Sequence, residues 1–68
     1  MTVEVKLNGE PRELPEGATV AQAVAELTAL ATGIAAAVNG DIVPRGSWGA
    51  TLLRAGDQVE VVTAVQGG

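Results

Sequence analysis

Val3-Glu4-Val5-Lys6-Leu7-Asn8-Gly9-Glu10-Pro11-Arg12-Glu13-Leu14 is the stretch that decides the fold of this chain. Val3, Val5 and Leu7 alternate with Glu4 and Lys6, the two-residue period of a strand with one face on a core and one in water. Asn8-Gly9 then offers two residues that tolerate positive φ, as a type I′ hairpin turn requires. Glu10 to Leu14 reads as the returning strand. Pro11 has no N–H to give to a ladder, so this strand belongs at a sheet edge. A hairpin with one apolar face needs a second layer to cover it.

That layer follows at once. Pro15-Glu16-Gly17 breaks the strand, and Thr19 stands as a helix N-cap with Gln22 three residues on, a Thr-x-x-Gln capping box. Val20, Ala23, Val24, Leu27 and Ala31 then form one apolar stripe at helical spacing. The alanines favour helix and allow close approach to a sheet. The spacing predicts a helix ending near Leu30 to Thr32, with Gly33 as its stop. Ile34 to Val38 is a continuous apolar run, as expected of a strand buried on both faces. Asn39-Gly40 is a second hairpin signal leading into Asp41-Ile42-Val43, and Pro44 marks an edge or a strand end. Arg45 to Ala50 reads as irregular, and Thr51-Leu52-Leu53 as a helical turn or a bridge. After the turn Ala55-Gly56-Asp57, Val59, Val61, Thr63 and Val65 alternate with Glu60, Val62, Ala64 and Gln66. The expected fold is α+β: a mixed four- to five-stranded sheet with one main helix packed on one face. Residues 1–68 form one domain in this reading, with 64–68 as a flexible C-terminal tail.

A chain of 68 residues buries only about 60% of the surface that its unfolded form exposes, so the core is small. It contains neither cysteine nor histidine, so neither a disulfide nor the usual zinc ligands can staple it. A hydrophobic content of 47%, with Trp48 as the one aromatic residue, fits an aliphatic core and argues against disorder. Charges stand where a signal peptide would need an apolar stretch, and no apolar run has membrane-spanning length. The chain therefore reads as soluble and cytoplasmic. Its net charge of −4 and four dispersed cations, Lys6, Arg12, Arg45 and Arg54, argue against nucleic acid as a partner.

The sequence holds little catalytic chemistry. There is no Cys or His to form a nucleophile–base pair, and Ser47 has no local base. Neither GxGxxG nor GxxxxGK[ST] occurs. Glu10, Glu13 and Glu16 fall on an edge strand and turn, where a solvated rim explains them. Arg45 beside Trp48 fits an anion contact, a stacking pair, or a loop ion pair beside an anchoring indole. Ile42, Val43 and Trp48 lie near an irregular loop and read either as a partner interface or as a cap on the end of the core.

The remaining feature is the close of the chain, Val65-Gln66-Gly67-Gly68. Glycine lacks a Cβ and adopts almost any backbone angle, so a diglycine end is a thin thread with an unhindered carboxylate. That carboxylate is ionised at neutral pH. It can attack the α-phosphate of a nucleotide to give an acyl-adenylate, which a sulfur nucleophile then displaces. Residues 64–68, fully extended, reach roughly 17 Å, enough to thread an active site while the body docks outside.

These residues match a family. Asn8-Gly9-Glu10, Leu14-Pro15-Glu16-Gly17-Ala18-Thr19-Val20, Ala37-Val38-Asn39-Gly40, Val43-Pro44-Arg45, Trp48, Gly56-Asp57-Gln58-Val59-Glu60-Val61-Val62 and Ala64-Val65-Gln66-Gly67-Gly68 make the chain resemble the ThiS sulfur carriers of thiamine biosynthesis. It departs from their pattern in the alanine-rich Ile34-Ala35-Ala36-Ala37 and in Gly46 and Gly49 around Trp48. The resemblance implies a ubiquitin-like β-grasp fold with the first and last strands parallel at the sheet centre. It implies that an E1-like adenylyltransferase using ATP and Mg²⁺ activates Gly68, and that a persulfide donor supplies sulfur for a Gly68 thiocarboxylate. A thiazole synthase then accepts that sulfur. The chain itself would be a carrier, not an enzyme, with no catalytic residue, metal or cofactor of its own. Gly67 would thread the partner, and Val65 and Gln66 would be its recognition neck. Other readings are a MoaD-like carrier for molybdopterin or tRNA thiolation, a ubiquitin-like protein modifier, and a small binding module with an inert tail.

Overall fold

The computed structural model describes residues 1–27 and 33–63. Strands β1 (Thr2–Leu7) and β2 (Glu10–Pro15) pair antiparallel, with Leu7 opposite Glu10 and Thr2 opposite Pro15. Asn8 at φ 52° and Gly9 at φ 86° form the left-handed corner that the Asn-Gly pair predicts. Alternation then directs Val5, Leu7 and Leu14 into the core while Glu4, Lys6 and Glu13 stay exposed.

Helix α1 (Val20–Leu27) covers that apolar face. Its capping box is closed in both directions: Thr19 N–H donates to Gln22 Oε1 at 3.0 Å, and Gln22 N–H to Thr19 Oγ1 at 3.4 Å. Val20, Ala23 and Val24 are buried, and Leu27 packs partly buried against the core. The expected end at Leu30 to Thr32, and Ala31 of the stripe, lie outside the described residues.

Strands β3 (Ile34–Val38) and β4 (Asp41–Val43) form the second hairpin, again through a left-handed Asn-Gly pair. Strand β5 (Gln58–Thr63) completes the sheet in the order β2-β1-β5-β3-β4, parallel to β1 and antiparallel to β3. The edges are β2, where Pro11 lacks a ladder donor, and β4, which stops just before Pro44. This is the β-grasp arrangement, with the first and last strands parallel at the centre of the sheet.

Two expectations need correction. Within β3 only Ala36 is buried; Ile34, Ala35, Ala37 and Val38 are half-buried. Ile34, Ala36 and Val38 face the core under α1, whereas Ala35 and Ala37 lie on the other, open face, so the apolar run in β3 comes from small residues tolerated on an open face, not from burial on both. The irregular stretch is in fact a 3₁₀ helix, Arg45–Ala50. It is held by Ser47 N–H on Pro44 O at 2.8 Å and by Thr51 Oγ1 donating to Ser47 O at 2.8 Å. Its two glycines conceal any period in so short an element. Beyond it Leu52 bridges to Thr19, and buried Leu53 donates its N–H to Ala18 O at 2.9 Å.

Candidate functional site

The diglycine end expected to be reactive follows β5 in the chain, and a set of hydrogen bonds fixes the start of that strand. Its first turn is anchored by Asp57, whose Oδ2 accepts from Arg54 N–H at 2.8 Å and whose Oδ1 accepts from Asn39 Nδ2 at 3.1 Å. Asn39 Oδ1 also accepts from Gln58 N–H at 3.0 Å, fixing the register of β3 on β5. On the other side, Lys6 N–H donates to Asp57 O and Asn8 N–H to Val59 O, both at 2.9 Å. There β1 turns away into β2. The side chain of Asn8 continues the contact: Val61 N–H donates to Asn8 Oδ1 at 2.8 Å, and Asn8 Nδ2 donates to Val61 O at 3.1 Å. Both asparagines read from sequence only as turn formers. The tertiary contacts of their side chains carry no local signal, because the partners lie up to 53 positions away.

Gly68, Gly67, Gln66 and Val65 lie outside the described residues. The three remaining candidates separate, because alternation along β4 sends neighbours to opposite faces. Ile42 is 70% exposed on the open face, in register with Ala37 and, beyond it, Glu60. Val62, 58% exposed, lies beside Ala35 on the same face. Val43 points the other way and packs against the core. Trp48 is buried, with Nε1–H donating to Val43 O at 2.8 Å. Val43 and Trp48 thus cap the end of the core, and Ile42 belongs to a different surface. The Arg45 guanidinium lies over the indole, 5.9 Å from its centroid, a cation–π contact that matches the stacking reading and not the loop ion pair.

Arg12 and Glu26 form the one ion pair among the described residues, at 3.0 Å. Those residues contain no group of three or more potential metal ligands, and no helix long and apolar enough to cross a membrane.

The ThiS family model matches residues 5–68. The chain belongs to the ThiS family. A ThiS crystal structure, that of a thiamine biosynthesis protein from Geobacter metallireducens, superposes with a TM-score of 0.81 at 28% identity, covering 97% of this chain and 100% of that one. A thiazole synthase of Magnetococcus marinus is 35% identical over 66 residues, which cover 97% of this chain and 20% of that protein. This ThiS-family chain thus spans about a fifth of the length of that relative.

Proposed function

We propose that the chain is a sulfur carrier for building the thiazole ring of thiamine, acting through the carboxylate of Gly68 as the substrate of partner enzymes. The observation that carries this reading is the reach of the family match, which extends to Gly68 and so includes the diglycine. The likeness to a ThiS protein of thiamine biosynthesis supports it. A thiazole synthase with a stretch similar to nearly the whole chain supports that enzyme class as the acceptor.

In this reading an adenylyltransferase supplies ATP and Mg²⁺, and the chain contributes its end. A Gly68 carboxylate oxygen attacks the α-phosphate; a new P–O bond forms, the α–β anhydride breaks and pyrophosphate leaves. The terminal sulfur of a persulfide then attacks the acyl carbon and expels AMP. A thiol cleaves the resulting acyl disulfide, supplying two electrons and leaving the thiocarboxylate on Gly68. Glycine at 67 and 68 matters because a side chain would widen the thread in the partner's channel. The setting is cytoplasmic, where thiols are abundant.

The test is intact mass after incubation with ATP, Mg²⁺, an adenylyltransferase and sulfide. The expected result is exchange of one oxygen for sulfur, absent when Gly68 is deleted. An unchanged mass, with the transferase active on another carrier, overturns the reading.

A further inference from the structure

We infer that the Asn8 carboxamide is a positioning residue for the reactive tail, an inference that rests on the carrier reading above. The β1–β5 ladder advances in two-residue steps, Lys6 on Asp57 and Asn8 on Val59. The next rung, at Val61, would need residue 10, which has already turned back into β2. Asn8 supplies that rung from its side chain, one oxygen and one nitrogen meeting the N–H and C=O of a single residue. A carboxamide suits this because it carries an acceptor and a donor in one plane. The turn alone does not demand it, since glycine takes the same φ of 52° freely. The effect is to hold β5 on both edges two residues beyond the end of β1, with Ala35 and Ala36 of β3 across the other edge. β5 is therefore held on both edges as far as Val61 instead of Val59, while its pairing with β3 continues on one edge to Thr63, and the strand from which residues 64–68 continue is steadied before a partner is met.

Asn39 is the internal control. It has the same φ and the same Asn-Gly setting, and its side chain also makes two bonds, but at the opposite end of β5. The test compares Asn8→Gly, Asn8→Asp and Asn39→Gly as substrates of an adenylyltransferase, read by pyrophosphate release well below the unfolding midpoints. Asp keeps an acceptor for Val61 N–H but sets a carboxylate oxygen against Val61 O. Asn8→Gly is expected to raise KM about tenfold, the effect of one residue's regained backbone freedom, with kcat unchanged. Asn8→Asp should fall on the same side, and Asn39→Gly should keep the parent's KM. Amide exchange at Val61 should quicken in Asn8→Gly and not in Asn39→Gly. A parent that is adenylated alongside an Asn8→Gly variant with the parent's KM overturns the positioning role alone. Equal rises in Asn8→Gly and Asn39→Gly also overturn it, because a general loss of stability then accounts for both. A parent that is not adenylated overturns the carrier reading, and this inference with it.

Discussion

Replacing Trp48 by Phe tests whether the indole is an anchor of the core or part of a partner surface. Phe keeps an aromatic ring in the site and removes two things. The first is the Nε1–H bond to Val43 O, whose 2.8 Å length marks a well-made contact. A bond of this kind contributes about 1 kcal/mol net. The second is the extra ring area of the indole, which is 8% exposed in place. Of the roughly 200 Å² that a buried Trp covers, Phe forgoes about 40–50 Å². At about 25 cal/mol per Å², that is about 1 kcal/mol more. The expected loss is about 2 kcal/mol, or a fall in Tm of roughly 8–16 °C for a domain of this size. Trp48→Ala should cost about 3–5 kcal/mol, against a total stability of roughly 3–10 kcal/mol, and leave the protein close to unfolded. Urea denaturation followed by far-UV circular dichroism reads both variants, with the m-value checked for constancy. A Trp48→Phe variant within about 0.5 kcal/mol of the parent, where surface substitutions fall, refutes the anchor assignment.

Two glycines should respond oppositely to alanine. Gly9→Ala meets no neighbouring atom but must hold φ 86°, which should cost about 1–2 kcal/mol; Gly46→Ala has open space and no left-handed strain, and should be neutral or stabilising by about 0.4–1 kcal/mol, both read by thermal melts. Arg12→Ala should change stability by less than about 1 kcal/mol, because Arg12 and Glu26 are 37% and 49% exposed; a larger loss that persists in high salt would show that the pair does more than a surface contact. Gly67→Val and Gly68→Val should abolish sulfur loading in the mass assay while the urea midpoint stays at the parent's value; loading at the parent rate by either would refute threading.

Sequence and tertiary structure divide this protein along the range of the interactions involved. Alternation in Val3 to Leu7, the two Asn-Gly pairs, the Thr19–Gln22 box and the stripe from Val20 to Leu27 are all settled within a few residues. The hairpins, the helix and its buried face were therefore legible from the sequence. Pro11 marked an edge strand and Pro44 a strand end, because a missing N–H is a property of the residue itself. The family pattern also made the parallel pairing of the first and last strands legible, which periodicity could not, since that pairing joins residues some fifty positions apart.

Only tertiary structure decided which side of a strand faces the core when both sides are apolar. Ile34 to Val38 looked doubly buried because small side chains suit an open face as well as a closed one. Ile42, Val43 and Trp48 read together either as a partner interface or as a cap on the core, because they are near in sequence; strand alternation and the 3₁₀ helix place Val43 and Trp48 at the end of the core and Ile42 on the other side. The same holds for Asn8. Its backbone role as a turn former is local and readable, whereas its side-chain grip on Val61 exists only once β5 has been laid beside β1.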